Sequence, residues 1–438
     1  MAMVVKNNMA AKNTLNQLDR NDKALAKSLQ KVASGMKINS AADDASGYAI
    51  SEKMDVQIRS LDQDEVNGQT ATSLMKVAEG SVSSTVDILR TLKEKAIQAA
   101  NDTNTDEDRA TIQKELDQAI DQIDDNASVT YNDRTLMDGS NNSIVLDPGT
   151  HTSLTNQSLG TETDPYTLMT DLTRRDGGGL GIKVGDTVTV SYVKDGITNS
   201  HDITVADDTE IQMMFDWSPC NMDLDIYDPL YRDEVGTNQY GETVHTSDNK
   251  NAVTYHAQKP GIDGQISGLT VVVKDSGGNV NKTATEALND FKESVRAQNP
   301  SPDNALTFQF GTRANQSLKV GLTDMRSVAL GLKSSTGQTL QLRTQTQANA
   351  AVNVLENAIT KVLNQQTSIG AVSSRIEYTS ENITTASDNT TGAKSVITDA
   401  DMAKEMTEYT KNNVLSQAAQ AMLAQANQNS SQVLSLLQ

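Results

Sequence analysis

Leu415, Ala419, Met422, Ala426, Asn429, Val433 and Leu436 follow one another at alternating steps of four and three. That is heptad spacing, apolar except at Asn429, and it predicts a helix seam. The positions around the stripe are Gln, Asn and Ser, and the 27 residues from Asn412 to Gln438 carry no charged side chain. A helix that faces water normally carries charge on its outer face. This stretch therefore predicts a helix that meets protein on several sides. Its Gln, Asn and Ser residues interrupt the run of about 20 apolar residues that a membrane span needs. Such a helix has little reason to hold together alone.

The first segment shows the same pattern. Leu15, Leu18, Asp22, Leu25, Leu29, Val32 and Met36 sit at steps of three and four. The first 40 residues hold seven Lys and Arg against two acids, so a basic amphipathic helix on a membrane surface is conceivable. Packing beside another helix is the favoured reading, with the C-terminal stripe as partner. Gly35, Asn39, Ser40, Asp43, Asp44 and Gly47 then punctuate Ser34 to Met54 and predict a helix end and restart. The adjacent acids Asp43 and Asp44 point different ways, which suits helix capping better than acid–base chemistry.

A long helix is predicted from Leu61 to about Ala100, with Leu74, Val82, Leu89 and Leu92 on its apolar faces. A capping-rich turn from Asn101 to Asp108 precedes a helix carrying Ile112, Leu116, Ile120 and Ile123. Tyr131 to Ser140 reads as turn and extended chain. In the middle, Val188, Val190 and Tyr192 alternate with polar residues, as do Leu269, Val271 and Val273, and both predict strands. Asp207 with Glu210 predicts a short helix near Ile211–Trp217. Thr283 with Glu286 predicts another, carrying Ala284, Leu288, Phe291 and Val295 and stopped before Pro300. Helix is expected to return after Phe308. Val352, Leu355, Ile359, Val362, Gln366, Ile369, Ser373, Ile376, Ser380 and Ile383 extend it over more than four heptads. A polar turn is expected at Ser387 to Ser395.

Composition sharpens this picture through its distribution. All seven prolines, all four histidines, the one Trp and the one Cys lie between Pro148 and Pro302. Proline breaks helix interiors, so two proline-free ends fit long helices flanking a distinct middle. The fold class expected is mainly α: a long antiparallel bundle or coiled coil formed by both chain ends, with an inserted α+β or β-rich domain. Aromatics are only 3%, thin for a globular enzyme but workable where Leu, Ile, Val and Ala are buried along seams. A net charge of −20 argues against nucleic acid as a partner. One cysteine, Cys220, leaves no internal disulfide and no Cys-based zinc site. The N-terminus lacks the apolar core of a secretory signal, which suggests the cytoplasm or export without a cleaved signal.

Candidate chemistry is sparse. There is no HExxH, no P-loop and no Cys–His metal spacing. Gly177 to Gly185 is glycine-rich but precedes a predicted strand, so a loop is favoured over a phosphate cradle. Asp223, Asp225 and Asp228 lie in an acidic run that could offer oxygen ligands to Ca²⁺. A solvated acidic face is the simpler reading. His201, His245 and His256 are scattered, and no nucleophile–base pair is legible. Nothing speaks for an enzyme, and no cofactor is expected.

Ser34–Met54, Gln98–Gln113, Tyr131–Ser140 and nearly all of Ser373–Gln438 closely resemble bacterial flagellin. The most specific stretches are NSAADDASGYAISE and DMAKEMTEYTKNNVLSQAAQAMLAQANQ. The likeness covers about residues 1–140 and 305–438. It implies a filament subunit of the bacterial flagellum, used for motility and found outside the cell. It further implies export through the flagellar channel without a cleaved signal, partners in the flagellar cap and hook-junction proteins, and an export chaperone on the C-terminal helix. The expected division is an inner-layer helix at 1–40, core halves at 41–165 and 305–395, a variable outer insertion at 166–304, and a second inner-layer helix at 396–438. Expected assembly residues are Leu15, Leu18, Leu25, Leu29 and Val32 with Leu415, Ala419, Met422, Ala426, Val433 and Leu436. By resemblance, Leu89, Glu94, Gln98 and Glu115 lie on the face sensed by Toll-like receptor 5. Thr91 and Lys95 depart from the usual Arg and Leu, which should weaken that contact. Alternatives are a hook–filament junction protein, or a filament subunit whose insertion is a ligand-binding or enzymatic module.

Overall fold

The computed structural model describes residues 8–146, 150–214, 224–225 and 233–436, the side chains of 224–225 and 430–436 excepted. The chain divides into two compact units. One comprises Met1–Gln69, Gln309–Gln316 and Tyr378–Gln438; the other comprises Thr70–Phe308 and Ser317–Glu377.

The first unit is helical. Helix α1 (Met9–Ser34) is capped by Asn8, whose side chain accepts the Ala11 N–H at 3.0 Å. It ends at Gly35, in the left-handed region at φ 72°, where the glycine N–H reaches Lys31 O at 2.9 Å. After the expected break, α2 (Ala45–Ala100) starts behind Asp44, whose carboxylate accepts the N–H groups of Ser46 and Gly47 at 3.0 and 3.1 Å. The last turns of α5 (Gln345–Thr398) lie beside the first turns of α2, joined by Lys394 to Asp55 and by Ser387 to Asp62. Helix α6 (Met402–Leu436) follows after three residues. The two breaks in this unit pair with each other. Lys37 N–H donates to Thr398 O at 2.7 Å, and Ala400 N–H to Gly35 O at 2.9 Å.

That arrangement corrects the expected turn at Ser387–Ser395. Helix α5 runs straight through it and breaks only at Asp399–Asp401. The Thr384, Thr385 and Thr390 hydroxyls donate to carbonyls four residues back, at 3.1, 2.9 and 2.7 Å. Polar residues read as turn formers are thus satisfied inside the helix.

The second unit holds the rest of α2, α3 (Asp106–Ala127) and the first part of α5. Thr105 and Asp108 form a reciprocal capping box at the start of α3, and Ile112, Leu116, Ile120 and Ile123 are buried as expected. Gln113 on α3 donates to Leu340 O at 2.8 Å and accepts Leu342 N–H at 2.6 Å. Asp124 likewise takes the N–H and hydroxyl of Ser327 at 2.7 and 2.8 Å, so α3 holds the 327–342 segment along its length. Strands β1 (Thr130–Tyr131) and β2 (Arg134–Thr135) make a hairpin. Its turn residues Asn132 and Asp133 have φ of 50° and 60°, the geometry of a type I′ turn.

The middle of the chain is strand-rich. Its strands are β3 (Ser153–Asn156), β4 (Thr187–Lys194), β5 (Ile197–Thr204), β6 (Leu224–Asp225), β7 (Glu234–Thr237), β8 (Thr243–His245), β9 (Val253–Ala257), β10 (Ile266–Lys274) and β11 (Phe291–Val295). One sheet has the order β10-β4-β5, another β11-β3-β9-β6, and β7 pairs with β8. The two strands read from alternation are direct neighbours: Val271 opposes Val190 and Val273 opposes Val188. Both sheets and α4 (Lys282–Leu288) contribute to one hydrophobic core, with Tyr192, Tyr255, Val271 and Leu288 among its members.

Three short-range expectations are corrected here. The helix expected to carry Phe291 and Val295 stops at Leu288, and those two residues belong to β11, paired with β3. A separation of four residues over so short a run fits a strand as well as a helix. The helix expected from Phe308 onward begins only at Gln345; before it come β12 (Leu306–Gln309) and β13 (Ser317–Val320). Near Ile211 the chain makes a 3₁₀ turn, Ile211–Met214, and the remainder of that expected helix lies outside the described residues. Half of the long α5 seam is buried, Leu355, Val362, Ile369, Ile376 and Ile383, seven residues apart, whereas Val352, Ile359, Gln366, Ser373 and Ser380 are half-buried.

Candidate assembly surface of the terminal helices

Helices α1 and α6 pack antiparallel within the first unit. Polar side chains set their register. Asn8 Nδ2 donates to Ala426 O at 3.2 Å, Asn21 Nδ2 to Leu415 O at 3.2 Å, Ser416 Oγ to Asp22 at 2.7 Å, and Asn412 Nδ2 to Ser28 at 3.1 Å. Lys31 pairs with Glu405 at 3.4 Å near the other end.

These bonds define which face of each helix is shared. On α1, Thr14, Leu18, Asn21, Leu25, Ser28 and Val32 have reduced exposure at alternating steps of four and three, as do Ala11 and Lys31. On α6, Asn412, Ser416, Ala419, Leu423 and Ala426 follow the same spacing, and Glu405, Glu408, Tyr409 and Asn413 are also less exposed. Each seam therefore keeps every other position of the apolar stripe seen in the sequence and is offset by one residue at the rest. Thr14, Asn21 and Ser28 replace Leu15, Asp22 and Leu29, while Ser416 and Leu423 replace Leu415 and Met422. Leu18, Leu25, Val32, Ala419 and Ala426 belong to stripe and seam alike.

The remaining stripe residues face outward. Leu15 is 53% exposed, Leu29 51%, Leu415 43% and Met422 62%. The side chains of Val433 and Leu436 lie outside the described residues. A two-helix pair buries one narrow row per helix, and in this pair hydrogen-bonding residues alternate there with Leu18, Leu25, Val32, Ala419, Leu423 and Ala426. Leu15, Leu29, Leu415 and Met422 are left on an adjacent face. Sequence reading missed Asn21, Ser28, Asn412 and Ser416; on α1 the polar residues Thr14, Asn21 and Ser28, seven apart, were the available signal.

In the second unit, Glu94, Gln98 and Glu115 are exposed on α2 and α3. Leu89, expected on the same face, is 0% exposed and so cannot be a surface contact. It lies on a buried α2 row with Leu92, Ala96 and Ala99. Lys95 Nζ sits 2.7 Å from Glu115, and the Thr91 hydroxyl is turned back to Asp87 O at 3.0 Å.

Of the acidic run, Asp223 and Asp228 lie outside the described residues, and Asp225 is placed only as backbone in β6. Among the described residues no group of three His, Cys, Asp or Glu is arranged to hold a metal. One Ser–His contact did escape the sequence reading: Ser153 Oγ is 2.8 Å from His256 Nδ1, across β3 and β9. Ser153 is buried, and burial holds the His256 imidazolium form down, with His151 adding to it. Nothing about this pair exposes a nucleophile. Among the described residues, no helix is long and apolar enough to cross a membrane.

Comparison with known proteins agrees with this architecture. The family model of the bacterial flagellin N-terminal helical region matches residues 5–142, and that of the C-terminal helical region matches 352–437. A flagellin of Clostridium tyrobutyricum is 32% identical over 97% of this chain and 99% of its own. A flagellin of Bacillus subtilis (strain 168) is 29% identical over 99% of this chain and 100% of its own. The solved flagellar junction protein FlgL from Legionella pneumophila, 14% identical, covers 81% of this chain and 100% of its own, at a TM-score of 0.30. That likeness is too slight to bear on the junction reading, whereas the sequence relatives favour a filament protein. With both terminal regions matched and a relative of nearly equal span at 32% identity, the chain belongs to the bacterial flagellins, the structural subunits of the flagellar filament.

Proposed function

We propose that this flagellin joins its filament through the outward apolar rows of α1 and α6, while their shared seam only sets the pair. The observation that carries this is the one-residue offset at alternate positions, which leaves Leu15, Leu29, Leu415 and Met422 exposed. An exposed apolar row on both partners of a pair is a surface for further copies. A head-to-tail contact that does not close a ring then yields an open filament. Residues 1–40 and 396–438 form the inner layer in this reading.

Two substitutions separate the roles. Met422→Asp places a carboxylate where a neighbouring copy must exclude water, at a cost of several kcal/mol, on the order expected for an unpaired buried charge. Seeded polymerisation, watched by electron microscopy, should fail while α1 and α6 stay paired by amide hydrogen exchange. Leu25→Asp strikes the seam, so it should loosen the pair as well as stop assembly. Filaments of normal length from Met422→Asp would sink the proposal.

The same row, exposed before export, is where an export chaperone would bind. The flagellar cap and hook-junction proteins are the partners expected at the filament ends. For Toll-like receptor 5, the Lys95–Glu115 pair occupies one of the acids expected to face the receptor. Lys95→Leu should free Glu115 and raise the response of receptor reporter cells several-fold; an unchanged response would remove this account of weakened sensing.

A further inference from the structure

A cavity of about 350 Å³ opens between β11 with its following loop and the first part of α5, all within the second unit. Its lining residues are all polar or charged, and two of its buried side chains each leave one atom without a partner. Glu293 is 6% exposed at its side chain. Its Oε2 faces Arg296 Nη1 at 3.4 Å, but its Oε1 has no hydrogen-bond partner. Gln365, 6% exposed, accepts the Thr323 hydroxyl through Oε1 at 2.9 Å, which leaves its amide Nε2 without an acceptor. Lys361 on the same wall has one protein partner among the described residues, Ala329 O at 3.1 Å, and an ammonium carries three donors. Arg296 has a protein acceptor at each of its three nitrogens. It reaches Glu293, Ala329 O at 3.1 Å and, with the Gln265 amide turned to face it, the Gln265 oxygen at 3.0 Å from Nε.

Unmet buried groups of this kind are costly and call for an occupant. The demands are of both kinds. Glu293 Oε1 needs a donor, while Gln365 Nε2 and Lys361 Nζ need an acceptor. A simple anion would meet the open carboxylate oxygen; a simple cation would meet Lys361 and Arg296. We propose that the cavity binds a small zwitterion of the α-amino acid class, its ammonium on Glu293 and its carboxylate on Lys361 and the Gln365 amide. The space far exceeds one water molecule, whose share of liquid volume is about 30 Å³. Burial, reinforced by Arg296 nearby, pushes Lys361 down to about 7, and burial raises Glu293 against the pull of Arg296 and Lys361. A bound carboxylate and ammonium would relieve both penalties.

Saturation-transfer NMR and thermal melting of the full chain test this with glycine, alanine, glycine betaine, acetate and glycerol at equal concentration. Glycine and alanine should bind and raise the melting temperature. Acetate lacks the ammonium, glycerol lacks both charges and betaine lacks N–H donors, so each should bind at least tenfold more weakly. Glu293→Gln and Gln365→Leu should each weaken glycine binding about tenfold, with circular dichroism unchanged. Equal binding of acetate, glycerol or betaine, no binding of glycine, or full binding in a folded Gln365→Leu variant would overturn the proposal. Should both variants fail to fold, the ligand series on the unaltered chain decides it. Loss of filament assembly in the variants without any glycine binding would assign the groups to subunit contact and also overturn it.

Discussion

At the scale of single residues, the short break between α1 and α2 shows how two neighbouring acids divide their work. Asp44 caps α2, while Asp43 turns back over the loop. Asp43 accepts the N–H groups of Asn39 and Ser40, both at 3.2 Å, and pairs with Lys27 at 2.9 Å. The Lys27 ammonium, with the Asn39 N–H next, holds the Asp43 carboxyl down to about 2 from the ordinary 3.8. A carboxylate lowered on folding stabilises above its unfolded pKa, and that stability is lost as pH falls through the folded value. The loop should therefore loosen between about pH 3.8 and about pH 2. Protection of the Asn39 and Ser40 amides, taken relative to free-peptide exchange at each pH, should fall as pH drops through that window, and Asp43→Asn should show low protection at every pH. Capping was legible in the sequence, because adjacent carboxylates diverge. The partner Lys27, 16 positions earlier, was not, because only the fold of the loop returns Asp43 to α1.

Helices and strands show where periodicity suffices and where it fails. Along α2, Leu61, Asp64, Ala71, Met75, Ala78, Val82, Leu89, Leu92, Ala96 and Ala99 are buried on one heptad row, and such a repeat declares itself over many turns. The stretch Ser387–Ser395 misled, because Ser, Thr, Asn and Gly favour turns only when no helix already satisfies them. Gly392 lies inside that stretch, exposed, and a methyl group added there would meet nothing within 4 Å. Gly392→Ala should thus stabilise α5 by about 0.5–1 kcal/mol, the helix-propensity difference. Thermal unfolding checks it; a loss of stability would mean that the segment is not helical. Contacts along one element can also require a glycine. Gly268, at φ 68° in the β10 bulge, lies so near α5 that an added Cβ would come 2.6 Å from Ala350 O. Alternation located β10 but said nothing of the helix that presses on it.

At the scale of the molecule, each chain end depends on the other. Helix α1 finds its hydrogen-bond partners on α6, nearly four hundred residues away in sequence. Deleting 412–438 should therefore strip α1 of protection from amide exchange and abolish seeded assembly. The β-rich core, with Tyr192 and Tyr255 at its centre, should keep its own melting transition, followed by calorimetry. Loss of both transitions together would show that the core cannot stand without the terminal pair. Flagellins are structural proteins, and a core that melts by itself would suit one whose ends are completed by neighbouring copies.

The sequence by itself determined that both ends are helical, that they carry complementary stripes and that a different kind of domain lies between them. Heptad repeats, missing prolines and the uncharged terminus are properties of residue order, and they act over one helix at a time. Tertiary structure alone decided which row of each stripe turns inward. Asn21, Ser28, Asn412 and Ser416 find partners across the pair, and they take the seam positions beside which Leu15, Leu29, Leu415 and Met422 stay exposed. It likewise decided that Leu89 is buried and that Lys95 meets Glu115. The polar cavity beside α5 arises in the same way, since Glu293, Thr323 and Gln365 become neighbours only when β11 packs near that helix. Spacing along a chain sets which residues share a face; only packing sets what that face meets.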